Sequence, residues 1–395
     1  MDREMEAAFA PATMETRQQG VLTIDRLIAI WTRVLQTSPI FPDSNFFDLG
    51  GDSLLAVGLF LEIEAVTGRS LPITTIYDAP TIAELVGLLD MQEKPKFSPL
   101  VRLKEGKGIS PLFVVHGIGG TVMELSGLGK LIQTDNPVYA IQARGLDGAE
   151  PPLESVEDMA AYYVEAVRQH QPHGPYLLCG YSFGGLVALE MCRQLKQEQG
   201  EIGLLLMIDA YAHPRTWPLL PRLVVGWRRA QHRRAELAEQ PLRETAAYVW
   251  QRANRLLRIR NSTQSTPGNA ASRWLRDRKV NLPPALRKVR EAGERALSAY
   301  VPRYYAGKVT FLRAEITDPV FPPNPTNIWR SLAQEFELHT VPGDHLSIIG
   351  EHADRIATRL SRCLAEIQDN RSVDGKYRRR AAAARRPEWM ESVPC

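Results

Sequence analysis

The amino-acid sequence predicts two domains: an N-terminal all-helical domain, followed by an α/β domain with a mainly parallel sheet and a helical insertion. Apolar residues recur at helical spacing over residues 20–90, whereas short apolar runs alternate with helical patterns from residue 111 onward. The length of 395 residues suits two or three domains at about 150 residues each. The composition, with 44% hydrophobic and 24% charged residues, is globular and excludes a collagen-like or wholly disordered chain.

Three helices make up the predicted N-terminal domain, residues 20–90. The first, 21–35, has apolar residues at i, i+3 and i+4 spacing. The second, 54–66, stops before Gly68, a residue type that commonly ends helices, and the third, 81–89, is shorter. Because no strand pattern interrupts these helices, we expect a helical bundle.

The C-terminal domain is predicted to span residues 111–367. Residues 91–110, which precede it, are rich in Lys, Gly and Pro and lack periodicity, so we expect a linker there. The alternation of strands and helices stops over an Arg-rich segment at about 210–305, which predicts an inserted helical lid. Residues 368–395 form a basic tail that we expect to be disordered. The predicted strands lie at 112–115, 138–141, 176–179, 204–208, 309–312 and 338–341.

A Gly-Gly turn precedes a serine at the start of the second helix, in the string Gly50-Gly51-Asp52-Ser53-Leu54. A phosphate attached to Ser53 would meet unpaired backbone N–H groups and the positive end of the helix dipole. On these residues alone, the alternative is that Ser53 only caps its helix.

The string Gly180-Tyr181-Ser182-Phe183-Gly184 lies between an apolar run and a helical pattern. This strand–turn–helix context is that of a nucleophile elbow, in which the glycines allow a sharp turn that exposes the serine hydroxyl. Ser182 is therefore the candidate nucleophile, and it needs a base to remove its proton.

The candidate base is His345, which follows the last predicted strand, where α/β-hydrolases place this residue. His352 is the alternative, but it falls at the start of the final helix. His116 lies near the nucleophile in such a fold, in a strand-end loop that suits another role.

Two carboxylates compete for the acid that orients the imidazole. Asp209 ends a predicted strand that delivers it to the carboxyl edge of the sheet. Asp318 follows a later strand, where many α/β-hydrolases carry their acid, but prolines crowd its loop. We prefer Asp209.

Two backbone N–H groups should hold the oxyanion that forms during attack on a carbonyl group. The amide of Phe183 is one candidate, because it follows the nucleophile. The amide of Ile118, in the glycine-rich loop from His116 to Gly120, is the other. This loop lacks the Lys-Ser/Thr pair of a P-loop and the spacing of a dinucleotide site, which argues against nucleotide binding.

Residues 20–90 resemble acyl or peptidyl carrier domains, whose attachment motif matches the GGDSL string at Ser53. Residues 110–366 resemble the thioesterase domains of non-ribosomal peptide, polyketide and fatty-acid synthetases, in which the acid follows the strand after the nucleophile helix. The first resemblance implies a covalent 4′-phosphopantetheine on Ser53, attached by a phosphopantetheinyl transferase.

Together the two resemblances imply a carrier-thioesterase of secondary-metabolite biosynthesis. An acyl or peptidyl thioester would pass to Ser182, with release by hydrolysis or cyclisation. The acyl group would be supplied by an upstream synthetase module or by a loading enzyme in trans. A stand-alone serine esterase acting on small esters and a non-catalytic carrier or scaffold protein remain the alternatives.

Other features of the sequence narrow the remaining possibilities. No apolar run approaches the roughly 18 residues that span a bilayer, and no secretory segment is evident, so we expect a cytoplasmic protein without a membrane partner. The four cysteines have no CxxC spacing, which predicts neither a metal site nor a disulfide framework. No recognition motif accompanies the basic stretches, so we expect no nucleic-acid partner.

Overall fold

A computed structural model shows two compact units, Met1–Pro95 and Lys96–Cys395. Within its described part, no helix is both long enough and apolar enough to cross a membrane. The structure describes residues 23–51, 53–68, 71, 75–90, 97–238, 283–318, 321–322 and 324–384.

The described part of the first unit is helical, as predicted. Thr23 caps the first helix by accepting a hydrogen bond from the Arg26 N–H at 3.3 Å. The fully buried rings of Trp31 and Phe46 meet edge to face in the core, 5.3 Å apart. The helices are α1 (Ile24–Leu35), α2 (Ser53–Thr67), α3 (Thr75–Asp78) and α4 (Ile82–Asp90). Helix α3 was not predicted, because four residues are too few to show a helical period.

A seven-stranded sheet forms the centre of the second unit, in the order β1-β3-β2-β4-β5-β6-β7. The paired strands are parallel, except that β1 runs antiparallel to β3. A mainly parallel sheet was predicted, and this fold class is confirmed. The strands are β1 (Leu100–Lys104), β2 (Leu112–Val115), β3 (Val138–Ile141), β4 (Tyr176–Tyr181), β5 (Ile202–Ile208), β6 (Tyr305–Ala314) and β7 (Ala333–Val341).

Strand β1 corrects the prediction that residues 91–110 are a linker. Leu100 pairs with Ile141 at the edge of the sheet, so this part of the segment belongs to the second unit. Only Val101 of the five strand residues is buried. A short edge strand with one buried side chain gives almost no hydrophobic pattern, which is why the sequence did not reveal it.

Helices cover the sheet and position the site. The sheet-facing residues of α6 and α7 share one buried cluster with β4, whose residues are all buried. Burying a large apolar side chain contributes about 1.5–3 kcal/mol, so this cluster is a main source of stability for the unit. The helices are α5 (Ser126–Leu131), α6 (Val156–His170), α7 (Phe183–Gln197), α8 (Leu219–Ala238), α9 (Pro284–Ala299), α10 (Thr326–Trp329) and α11 (Ala353–Ala384).

The predicted insertion at 210–305 contains α8 and α9, and its residues 239–282 lie outside the described residues. Helix α9 packs on the loop that follows β2. A Cβ atom on Gly120 would lie 2.4 Å from Val289 Cγ1, and one on Gly293 would lie 3.2 Å from the Ile118 carbonyl oxygen. This helix therefore covers the loop in which we expect an oxyanion donor.

The final helix corrects the prediction of a disordered tail from residue 368. Helix α11 continues to Ala384, and residues 385–395 lie outside the described residues. The physical reason is composition: the last part of the helix, from Lys376 to Ala384, consists mostly of Ala, Arg and Lys, which are among the strongest helix formers.

Candidate active site

The nucleophile elbow is a strained turn between β4 and α7. Ser182 has φ +54° and ψ −119°, a conformation that residues other than glycine rarely adopt. Two hydrogen bonds fix the turn: the Ser182 N–H donates to the Ile208 carbonyl at 2.8 Å, and the Gly185 N–H donates to the Ser182 carbonyl at 3.1 Å. The backbone thus presents the Ser182 side chain at the carboxyl edge of the sheet.

The glycines of this motif are required by close backbone approach. A Cβ atom on Gly184 would lie 2.2 Å from the His116 carbonyl oxygen, and one on Gly180 would lie 2.2 Å from the Gly184 carbonyl oxygen. Both contacts are with backbone atoms, which cannot rotate away as side chains do.

We expect Gly184→Ala to lower the free energy of unfolding by about 3 kcal/mol, the upper end of the usual cost of overpacking. Urea denaturation measures this change. Gly226→Ala is the matched control, because Gly226 also lies in a helix and its Cβ atom would meet nothing within 4 Å. The free energy of unfolding of this control should be unchanged or increase by up to about 1 kcal/mol. Equal effects of the two substitutions would contradict this packing argument.

Three candidate residues come together at the elbow. The distance from Ser182 Oγ to His345 Nε2 is 2.9 Å, and the distance from His345 Nδ1 to Asp209 Oδ2 is 2.7 Å. A carboxylate can only accept hydrogen bonds, so His345 Nδ1 carries the proton and Nε2 is the atom that accepts from the Ser182 hydroxyl. This arrangement lets the imidazole act as a base toward the serine.

Asp209 lies directly after β5 with a side chain that is almost fully buried. Its second oxygen, Oδ1, accepts hydrogen bonds from the Tyr211 hydroxyl at 3.2 Å and from the Ala314 N–H at 3.1 Å. Both carboxylate oxygens are therefore partnered, as a buried charge requires. Asp318 lies in the loop after β6, where its carbonyl accepts the Phe321 N–H at 2.9 Å.

Two aromatic rings enclose the imidazole of His345. The Tyr181 ring stacks on it at 5.4 Å, and the Phe321 ring lies 5.3 Å away. The Tyr181 hydroxyl also donates to the His345 carbonyl at 2.6 Å, and burial raises the pKa of this phenol well above its usual range, so it remains a donor. Sequence reasoning missed both rings, although Tyr181 adjoins the nucleophile.

The other two histidines considered from the sequence have different neighbours. His352 packs against Gly343, where a Cβ atom would lie 2.3 Å from His352 Cδ2. His116 is buried after β2, its ring 6.3 Å from that of Phe183. Of the three, the structure brings His345 to Ser182 Oγ.

The two proposed oxyanion donors lie on neighbouring elements. Phe183 is the first residue of α7, so its N–H has no partner within the helix. Ile118 lies in the loop after β2, and both residues line one small cavity together with His116 and Tyr163.

Glu124 anchors the same loop. The Gly117 N–H donates to Glu124 Oε1 at 3.0 Å. Although part of this residue faces solvent, the surrounding protein displaces water from its carboxyl group and raises the pKa to about 7, against the opposing effects of the Gly117 N–H and the charge of His345. Sequence reasoning did not identify Glu124.

Ser53 is the first residue of α2, a helix of 15 residues. The turn before it depends on its glycines: Gly50 has φ +87°, and a Cβ atom on Gly51 would lie 2.3 Å from the Phe46 ring. A serine hydroxyl is the group to which a phosphodiester can be attached, and the first turn of a helix has N–H groups free to meet the phosphate. The residues therefore fit a 4′-phosphopantetheine group at Ser53.

No cluster of three or more His, Cys, Asp or Glu side chains that could hold a metal ion occurs among the residues the structure describes.

Comparisons with known proteins agree with the two-domain architecture. The family model described as a thioesterase domain matches residues 110–364, and the model described as a phosphopantetheine attachment site matches residues 25–89. A dimodular nonribosomal peptide synthase of Bacillus subtilis (strain 168) is 33% identical over 314 residues, which are 77% of this chain and 12% of that protein. An indigoidine synthase of Dickeya dadantii (strain 3937) is 39% identical over 171 residues, 43% of this chain and 12% of that protein.

Among solved structures, a four-domain nonribosomal peptide synthetase crystallised with AMP and glycine aligns with 86% of this chain and 26% of its own. The TM-score is 0.51 at 23% identity, a likeness that concerns the fold. The chain thus spans about an eighth of the two curated relatives and a quarter of this structure.

Proposed function

The chain belongs to the thioesterase domain family and carries a phosphopantetheine attachment domain ahead of its thioesterase domain, and from this premise we propose that it releases an acyl or peptidyl group through an acyl-Ser182 intermediate. The observation that carries the proposal is the hydrogen-bonded chain from Ser182 Oγ through His345 to Asp209, with distances of 2.9 and 2.7 Å. The resemblance to carrier and thioesterase domains inferred from the sequence is confirmed by the family matches.

The carrier domain implies a covalent 4′-phosphopantetheine, which supplies a terminal thiol that holds the acyl group as a thioester. We place its attachment at Ser53, supported by the position of this serine at the start of α2. A phosphopantetheinyl transferase must attach the group. In our proposal an upstream synthetase module, or a loading enzyme acting in trans, supplies the acyl group in a secondary-metabolite pathway, as the synthetase relatives suggest.

In the first half of the reaction, His345 Nε2 takes the proton of Ser182 while Oγ attacks the thioester carbonyl carbon. The negative charge that develops on the carbonyl oxygen is held by the N–H groups of Phe183 and Ile118, each worth about 10²–10³ in rate. His345 then gives its proton to the leaving sulfur, the carbon–sulfur bond breaks, and an ester on Ser182 remains.

In the second half, His345 takes a proton from the incoming nucleophile, which is water or a hydroxyl or amine of the acyl chain. This nucleophile attacks the ester carbonyl, and His345 returns the proton to Ser182 Oγ as the product leaves. Asp209 stabilises the protonated imidazole in both halves and keeps it oriented. In this proposal α8 and α9 belong to a lid over the reaction.

The test uses the whole 395-residue chain, a phosphopantetheinyl transferase and an acyl-CoA. Intact-mass measurements should show the acyl-pantetheine mass added to the chain and then lost with time as free acid or cyclic product. A chain that never gains the mass would contradict the carrier assignment. A chain that gains the acyl mass and never loses it would contradict the thioesterase activity.

Ser53→Ala should prevent attachment, so that the acyl group can reach Ser182 only from solution. Tethering gives an effective concentration in the mM range, so at about 10 μM free acyl-N-acetylcysteamine thioester we expect turnover about 100-fold slower than release from the loaded wild type. Ser44→Ala, in the loop before α2, is the matched control and should be loaded normally. Full loading of Ser53→Ala would mean that the pantetheine arm is attached to another residue. Equal rates of turnover would favour a stand-alone esterase.

A further inference from the structure

We propose that His116 and Tyr163 form a positioning pair that sets the orientation of the Gly117–Ile118 peptide, whose N–H is one of the two oxyanion donors. The distance from His116 Nδ1 to the Gly117 carbonyl oxygen is 2.5 Å, and the distance from His116 Nε2 to the Tyr163 hydroxyl is 2.7 Å. This inference rests on the proposed function, because it assigns these residues to the reaction at Ser182.

The roles of the two ring nitrogens follow from their partners. A carbonyl oxygen only accepts, so His116 Nδ1 must donate to Gly117, and Nε2 must accept from the Tyr163 hydroxyl. Burial supports both roles: it lowers the pKa of His116 to about 4 and raises that of Tyr163 well above its usual range. The imidazole is thus neutral at ordinary pH, and the phenol keeps its proton.

Holding the Gly117 carbonyl also fixes the Ile118 N–H. The peptide between the two residues is planar and trans, so its C=O and N–H point in opposite directions. Gly117, which adjoins this plane, would otherwise let it rotate, because glycine accepts a wide range of backbone angles. The hydrogen bond from His116 opposes that rotation.

Neighbouring contacts hold the rest of the loop. Glu124 accepts the N–H of Gly117, and α9 approaches the Ile118 carbonyl at Gly293. In this proposal, His116 holds the Gly117–Ile118 peptide plane. Tyr163, on α6, orients the imidazole of His116. Both side chains are buried, so they act through the loop and are positioning residues.

The substitutions at His116 separate a specific hydrogen bond from simple packing. Asparagine places its amide N–H₂ near the position of Nδ1 and can still donate to the Gly117 carbonyl, whereas leucine cannot. We expect His116→Leu to lower kcat about 100-fold on acyl-N-acetylcysteamine thioesters, with KM within twofold, because the Ile118 N–H that it misplaces acts in the transition state. His116→Asn should recover at least tenfold of that loss.

Tyr163→Phe keeps the buried ring and removes only the hydroxyl. We expect a decrease in kcat of about tenfold, again with little change in KM. Because Tyr163 acts through His116, the double variant His116→Leu/Tyr163→Phe should be no slower than His116→Leu alone. Urea denaturation of each variant shows that the rates refer to folded protein.

Several outcomes would overturn the inference. These are an unchanged kcat in folded Tyr163→Phe, equal kcat values for the asparagine and leucine variants, or additive effects in the double variant. Failure of the proposed function is distinguishable, since the wild-type chain would then show no turnover that depends on Ser182.

Discussion

Ser182→Ala is expected to lower kcat for thioester turnover by about 10⁶-fold, the loss typical of removing a serine nucleophile. Without Oγ, His345 has no hydroxyl to deprotonate and no acyl-serine ester can form. The same variant should still accept the pantetheine arm and the acyl group, because Ser53 lies in the other unit. Intact-mass measurement should therefore find the acyl mass retained while the wild type loses it.

Ser331→Ala is a matched control within the same unit, since that hydroxyl donates to the Ile328 carbonyl at 2.9 Å, next to α10. It should release the acyl group at the wild-type rate. Rapid release from Ser182→Ala would mean that water attacks the thioester without a covalent intermediate, and the acyl-serine mechanism would be wrong.

Asp209→Asn is expected to lower kcat about 10⁴-fold. An asparagine amide is neutral, so it cannot stabilise the imidazolium that forms when Ser182 loses its proton. Its N–H₂ group can also face His345 Nδ1, which would favour the tautomer with the proton on Nε2, the atom that must accept from the serine. Steady-state kinetics with an acyl-N-acetylcysteamine thioester measure the effect.

Asp318→Asn tests the other carboxylate considered from the sequence. We expect its kcat to stay within twofold of the wild type, because the structure places Asp209 Oδ2 at 2.7 Å from His345 Nδ1. A large decrease in the kcat of Asp318→Asn, together with a near-normal kcat of Asp209→Asn, would mean that Asp318 is the triad acid.

The sequence predicted the fold class because strands and helices in this chain have strong patterns. The string around Ser182 combines a turn motif with a buried strand and a helix, and strand ends in a parallel sheet gather at one edge. That reasoning placed Asp209 and His345 near the serine. It failed for β1, in which only one residue is buried, and for α3, whose four residues are too few to show a helical period.

The supporting side chains could not be predicted from sequence patterns. Tyr163 lies 47 residues from His116, and Tyr181 lies 164 residues from the carbonyl it binds at His345. These contacts depend on the packing of distant elements, and a tyrosine on a helix face or in a buried strand suits the hydrophobic core equally well. Only the three-dimensional structure shows which partner each tyrosine hydroxyl binds.

The antiparallel strand at the edge of the sheet changes where this thioesterase can be cut for domain exchange. A fragment that begins at residue 111 and is grafted onto another synthetase would lack the strand that pairs with β3. Backbone N–H and C=O groups of β3 would then have no strand partner, and the space that Val101 fills would be empty. Open strand edges recruit other chains and promote aggregation. A hybrid synthetase that receives this thioesterase domain should therefore also include residues 97–110.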